Sequence, residues 1–526
     1  MDETKNEFSE NYRGSACSCC NGHHAKLSND ISRREFVRIT GTGALGTMAF
    51  SRLTWSMLSA EQTTEEFKVH RQPLIVKPIL TYEVPEHRPQ TSWRSWGGIR
   101  TEKDASDEIT RIQNELKSLS DKTDFPVTFL PVSGVRNPRD LDNINDLASA
   151  DLFLIYASGG GSDNFDALNK MGKNIIFFCR HRSGPVYLWY EIISPRYLRQ
   201  HTDMHTVKGI DEDDVVIDSQ DELLWRMRAL CGLKNTINSR IVAIGGPGAW
   251  SQPLEVVMKT VQERYKLDIQ SVSYEELGRL ITEARKDNSM MNDARSRADK
   301  YLQDNSVRLE TDRKYVENCF ALEEIFKRLM NRFNCRAITV NNCMGTIMPL
   351  AETTACLTLS LLNDAGYLAF CESDFVAVPA GILMANISGK PAFLNDPTYP
   401  HDKMITLAHC TAPRRMDGKK LQPARILTHF ESDYGAAPKV EMLVGQTVTN
   451  IMPDFAFTRN VGLSGVVLDN PMLDICRSQI DISYNCDSRK VAEHMPGFHW
   501  ITVYGDYVKE TGYALKKIGI KFENLA

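Results

Sequence analysis

Two carboxylates, Glu352 and Asp374, fall where the local pattern would set both on one edge of a parallel sheet, and His499 near the C-terminus is a third candidate metal ligand. Two oxygen anions with one imidazole suit a hard divalent cation, Mn²⁺ or Mg²⁺, better than a thiophilic one. Either acid alone also has a structural meaning. An acidic residue in the first turn of a helix answers the macrodipole, and an aspartate after a strand often caps or turns the chain. Nothing local brings His499 to them.

The elements that must position the pair are legible. Residues 337–340 form a short β-type run, Pro349 suits a first helical turn, and 351–365 carry apolar residues at helical spacing before Gly366. A buried strand is expected at 367–371. Pro379 then opens a second helix that Gly389 closes, and a third strand at 391–394 ends at Asn395 and Asp396. The order strand, helix, strand, helix, strand builds an open parallel sheet, whose ligands bind outside the carboxyl ends of the strands. Glu352, in a first helical turn, and Asp374, just past a strand in Cys371-Glu372-Ser373-Asp374, are therefore expected to face one crevice.

The motifs from Pro349 to Pro413 carry a resemblance. Pro-Leu-Ala-Glu-Thr-Thr-Ala-Cys, Leu-Leu-Asn-Asp-Ala-Gly, Cys-Glu-Ser-Asp, Gly-Lys-Pro-Ala-Phe-Leu-Asn-Asp and Ala-His-Cys-Thr-Ala-Pro, with Pro496-Gly-Phe-His-Trp500 and Tyr504-Gly-Asp506, look like the L-fucose isomerase and L-arabinose isomerase superfamily. The resemblance covers residues 340–526; the earlier half matches only in general α/β character. It implies that Glu352, Asp374 and His499 hold a divalent metal, most often Mn²⁺. It further implies two doubly wound α/β domains, a C-terminal β domain, and trimers or hexamers. Phe375-Val-Ala-Val-Pro379 departs from the Asn-Gly run usual after the aspartate, so the substrate stays unassigned.

Interconverting an aldose and a ketose moves a proton between C1 and C2 through a cis-enediol, which requires a base for a carbon acid and a cation for the developing enediolate. Glu352 and Asp374 would act as ligands and as proton carriers. His409 ends a β-type run at 404–408 and reads equally as a substrate contact or a hydrogen-bonded structural residue. His201 and His205 share the i, i+4 spacing of a metal pair, yet read as a solvated surface pair.

Two function classes remain open: a metal-dependent isomerase acting on a monosaccharide, and a non-catalytic exported carbohydrate-binding or sensing protein on the same fold.

Ser32-Arg33-Arg34-Glu35-Phe36-Val37, a weakly apolar stretch at 39–50 and Leu58-Ser59-Ala60 fit a cleavable twin-arginine export signal, which carries folded proteins to the periplasm. Gly41-Thr-Gly-Ala-Leu-Gly46 satisfies G-x-G-x-x-G but follows no strand, so it is not a dinucleotide fingerprint. Cys17, Cys19 and Cys20 with His23 and His24 are dense enough for metal, without completing a tetrahedral spacing. Gly245-Gly-Pro-Gly248 follows a strand-like run at 240–244 and reads as a tight turn; Gly159-Gly-Gly-Ser162 reads likewise.

At 526 residues the chain exceeds one domain, and the formal charge of −5 gives no basic footprint for nucleic acid. Beyond the leader no apolar run reaches a membrane span of roughly 18 residues. The division expected is a leader at 1–60, an α/β domain at 61–238, a second at 239–396 carrying the carboxylates, and a β-rich domain at 397–526. Residues 425–430, 439–444 and 447–451 read as antiparallel strands of a small barrel. The cysteines beyond the leader mostly lie in apolar elements and read as buried thiols rather than a disulfide framework.

Overall fold

The computed structural model describes residues 69–187, 192–250 and 252–525. The twin-arginine segment, the Cys17–Cys20 cluster and the glycines at 41–46 lie outside the described residues.

The first unit is a parallel sheet. Its strands are β1 (Leu74–Thr81), β2 (Val127–Phe129), β3 (Ser133–Val135), β4 (Leu152–Ala157), β5 (Asn174–Cys179) and β6 (Val215–Ile217), ordered β2-β1-β4-β5-β6 with β3 also on β1. β4 and β5 read Leu-Phe-Leu-Ile-Tyr-Ala and Asn-Ile-Ile-Phe-Phe-Cys, nearly continuous apolar runs, because a sheet covered on both faces has no side for polar residues.

The second unit places β7 (Arg240–Ile244), β8 (Asp268–Val272), β10 (Ala337–Val340) and β11 (Leu368–Cys371) in the order β11-β10-β7-β8, all parallel. β9 (Val307–Leu309) lies between them in sequence but elsewhere in space. Ile241 and Ala243 pack toward the helix Val378–Ser388, while Val242 and Ile244 pack toward the helices Tyr274–Lys286 and Arg313–Arg332. After β8 the chain returns to the other side of β7. The sheet's switch point thus lies between β7 and β10, and a crevice opens at their carboxyl ends.

The remaining strands are β12 (Phe393–Pro397), β13 (Met404–His409), β14 (Ala424–Leu427), β15 (Ala437–Val440), β16 (Thr447–Pro453), β17 (Arg459–Asp469), β18 (Ser478–Tyr484), β19 (Trp500–Tyr504) and β20 (Lys521–Asn524). β16-β19-β12-β13-β18-β17 are antiparallel neighbours, and β17 pairs back to β16, closing a six-stranded barrel; β20 joins β17 in parallel. β14 and β15 form a separate three-stranded sheet with β9, so of the three strand-like runs assigned from sequence to a barrel only β16 belongs to it.

Two local expectations are corrected. The strand ending at Asp396 does not continue the parallel sheet: β12 pairs antiparallel with β13 and β19. The helix expected over 351–365 is broken. Met348–Ala351 ends at Glu352, whose φ of 51° and ψ of 38° are left-handed, and a second helix, Cys356–Asp364, leaves at 89°. Tertiary partners replace helical ones at the break: Thr353 Oγ1 donates to the Tyr315 carbonyl at 3.0 Å, Thr354 Oγ1 to the Ala436 carbonyl at 2.9 Å, and Asn318 donates to the Glu352 carbonyl at 3.0 Å. Threonine side chains that can satisfy the backbone this way compete with helix continuation.

Among the described residues no single helix is long and apolar enough to cross a membrane, and none of the ten cysteines is in a disulfide; six of them are buried.

Candidate metal centre

Strand ends from two sheets converge. The loop after β11 carries Glu372, Ser373 and Asp374; Glu372 and Ser373 are both left-handed, with φ of 65° and 47°. Consecutive non-glycine residues in that region store roughly 1–3 kcal/mol each and persist where surroundings over-determine them. Here the restraint is a second loop, which follows β7. The Gly248 amide donates to the Ser373 carbonyl at 2.9 Å, and the Phe375 amide donates to the Gly248 carbonyl at 3.0 Å. A Cβ on Gly248 would lie 3.2 Å from the Ser373 oxygen, so glycine permits this approach.

The barrel supplies the other wall. Asp396 in β12 pairs with Ala408 in β13, which sets His409 one residue further on. Asn395 pairs with Trp500, which sets His499 at the start of β19. Antiparallel register alone therefore gathers Asp396, His409 and His499, and the β11 loop brings Glu372 and Asp374 to them.

His499 is buried at the centre. Its Nδ1 is 2.7 Å from Asp374 Oδ2, and its Nε2 is 3.4 Å from Glu372 Oε2 and 3.3 Å from Asp396 Oδ1. His409 Nε2 is 3.6 Å from Glu372 Oε1, and its Nδ1 is anchored 3.0 Å from Thr411 Oγ1. Asp396, His409 and His499 each present a ligand atom within 4.8 Å of the other two. His499 Nε2 and Asp396 Oδ1 are buried without a hydrogen-bond partner although they face one another. Two such atoms, flanked by Glu372 and His409 Nε2, are what a shared cation would satisfy, so the residues present fit a divalent metal.

Asp374 has a different place. One oxygen faces His499 Nδ1, and the other accepts from the Val376 amide at 3.0 Å. With both oxygens engaged and the side chain only 2% exposed, it orients the imidazole and fixes Nε2 as the free nitrogen. We expect Asp374→Asn to weaken Mn²⁺ binding about 10- to 100-fold with the fold intact, measured by electron paramagnetic resonance titration beside a thermal melt.

Trp250, left-handed at φ 50°, stacks on Phe498 with ring centroids 4.1 Å apart, and both rings set their edges or faces against His499. The pair packs the imidazole on its apolar side.

Charges are strongly coupled. Burial alone would raise the Glu372 carboxyl, but the His409 and His499 imidazoles facing it hold it well below the usual carboxylate range. Burial pushes Asp396 up to about 6 against the pull of His499 and His409. Burial opposes charge on His499, yet Asp374 and Glu372 carry its pKa well above the ordinary imidazole value; His409 is raised against burial by Glu372 and Asp396. Without metal these imidazoles hold protons that a cation must displace. Raised pKa values mean that those protons leave only as pH rises, so affinity climbs with pH. Mn²⁺ titrations from about pH 6 to 8 should show at least about a tenfold gain per unit, with proton release in calorimetry.

The sequence-derived trio is thus divided. The structure brings together Asp374, His409 and His499 but not Glu352, whose carboxylate is 44% exposed and pairs with Lys314 Nζ at 2.9 Å and Arg285 at 3.2 Å. Glu372 and Asp396 take up the place foreseen for it. Both were visible, one as the first acid of Cys371-Glu-Ser-Asp374 and the other as a residue at a strand end. His205 pairs with Glu212 at the exposed surface, away from any such cluster, and His201 is likewise exposed.

A scan against models of known protein families finds no match, and a search of curated proteins finds none.

Proposed function

We propose that the chain is a metal-dependent isomerase that interconverts an aldose and a ketose through a cis-enediol, in keeping with its resemblance to the L-fucose and L-arabinose isomerases. The observation that carries this reading is the cluster of half-buried Glu372 and Asp396 with buried His409 and His499, whose facing atoms Asp396 Oδ1 and His499 Nε2 lack partners. Oxygen and imidazole donors favour Mn²⁺ or Mg²⁺. Glu372, Asp396, His409 and His499 would hold the ion, which supplies positive charge where an enediolate develops.

The chain's own groups divide the work. Asp396 is the most exposed of the three carboxylates, 24% against 17% for Glu372 and 2% for Asp374. It is therefore the group open to a carbon acid, taking the proton from C2 of the aldose and returning it to C1. Glu372 remains ionised between two imidazoles. Asp374 keeps His499 in one tautomer, and Trp250 with Phe498 keeps water from that side of the ring. The departing run at 375–379 is buried and begins the helix Val378–Ser388, so it bears on packing around the site.

The substrate proposed is an unphosphorylated monosaccharide, met in the periplasm after export of the folded, oligomeric protein. The test is metal analysis of the purified chain, followed by ketose formation across a panel of aldoses. Mn²⁺ at about one ion per chain, with conversion lost on chelation and regained on adding Mn²⁺, supports the reading. Stoichiometric metal without conversion of any sugar leaves the non-catalytic carbohydrate-binding protein in its place.

A further inference from the structure

A second donor set adjoins the first and extends beyond the isomerase reading. Cys371 closes β11 and is buried next to Glu372; its Sγ, a Glu372 oxygen and a His409 nitrogen all lie within 4.8 Å of one another. The Cys371 thiol also lies 3.7 Å from Cys343 Sγ, a half-buried residue at the start of the turn that follows β10. Two thiolates on one tetrahedral zinc, each about 2.3 Å from the ion, stand about 3.8 Å apart, so this pair already has that spacing.

We propose that Cys371, Glu372 and His409 form a seat for a thiophilic divalent ion such as Zn²⁺ or Cd²⁺, with Cys343 as the neighbouring thiol able to complete it. The hard-ion cluster draws on Asp396 and His499, which carry no sulfur, whereas this seat has a sulfur donor at its core. Glu372 and His409 belong to both, so the two ions compete. Ligand chemistry separates them in degree: carboxylate and imidazole donors accommodate Mn²⁺, and a thiolate adds to the preference for zinc-like ions that nitrogen and oxygen donors already show. His409 suits either, because Thr411 holds its Nδ1 and leaves Nε2 toward Glu372. Occupation of the sulfur seat would withdraw Glu372 and His409 from the neighbouring cluster, which makes a soft metal an antagonist of Mn²⁺ at this centre.

Co²⁺ reports a thiolate ligand through a sulfur-to-cobalt charge-transfer band in the near ultraviolet, independent of any turnover. The reduced full-length protein titrated with Co²⁺ should develop that band, Cys371→Ser and Cys371→Ala should lose it, and Zn²⁺ should bleach it in the wild type. Mn²⁺ affinity, followed by electron paramagnetic resonance, should stay within about twofold in Cys371→Ser, and added Zn²⁺ should lower it at smaller concentrations in the wild type than in Cys371→Ser. Absence of the band from wild type overturns the seat. So does a band that persists in both Cys371 variants, which would assign it to a thiol other than Cys371, whether Cys343 or the separate Cys356, Cys410 and Cys476. Because Mn²⁺ binding is read separately, failure of the sulfur seat is distinct from failure of the isomerase reading.

Discussion

Glu372→Gln is expected to weaken Mn²⁺ binding by about 10²- to 10³-fold and to remove turnover, while Glu352→Gln leaves both within about twofold. The contrast follows from position. Glu372 lies between two imidazoles, with Oε1 3.6 Å from His409 Nε2 and Oε2 3.4 Å from His499 Nε2. Removing one member of such a buried charge set typically costs about 3–5 kcal/mol, because the remaining charges stay desolvated. Glutamine preserves the side chain's shape, so the strained left-handed backbone need not move, while one acceptor oxygen becomes a donor amide. The Glu352 carboxylate pairs with exposed Lys314 and Arg285, and exposed pairs, screened by solvent, contribute little. Metal titration and steady-state rates on both variants decide the matter. Loss of binding in Glu352→Gln with retention in Glu372→Gln would return the ligand role to Glu352.

At Mn²⁺ concentrations that saturate the variant, Asp396→Asn should lower kcat by about 10²- to 10⁴-fold with a much smaller change in KM, since asparagine keeps an oxygen donor but cannot carry a proton. Burial pushes the Asp396 carboxyl up to about 6, close to the range in which a base can both hold and release a proton. The sign is definite for a base: activity should rise as pH increases through the carboxyl's titration and reach a plateau above it. A bound cation lowers that midpoint, so the rising limb of the loaded enzyme should lie below about 6. A pH profile of kcat that falls over this limb would contradict Asp396 as the base.

The carboxyl edge of the second sheet was legible in sequence because β10 and β11 are short and apolar, Gly366 precedes β11, and Pro379 and Gly389 bound the helix that follows. β10 spans Ala337–Val340, as the pattern places it, and Gly389 closes the helix in a left-handed cap. The barrel edge was less so. β12 is apolar enough to belong to either sheet, and only its antiparallel pairing with β13 and β19 makes it a barrel strand. The same pairing hid Asp396 as a site residue, since register across strands distant in sequence has no local signature. Glu352 misled for a related reason. Helical spacing runs through it, but tertiary hydrogen bonds from Thr353, Thr354 and Asn318 break the helix there and turn the carboxylate outward. Asp374 and His499 were joined only through the family resemblance, since nothing local linked them, and their relation came from the structure: the acid bonds to Nδ1, so it orients the imidazole.

Solvent deuterium incorporation tests the central claim most directly. The Mn²⁺-loaded protein, incubated in deuterated water with a panel of aldoses and ketoses, should place one deuterium at C2 of a single aldose, or C1 of its ketose. Chelation should stop the exchange, and Glu372→Gln should not show it. A protein that holds stoichiometric Mn²⁺ at Glu372, Asp396, His409 and His499, yet exchanges no carbon-bound hydrogen of any sugar, would contradict the isomerase assignment.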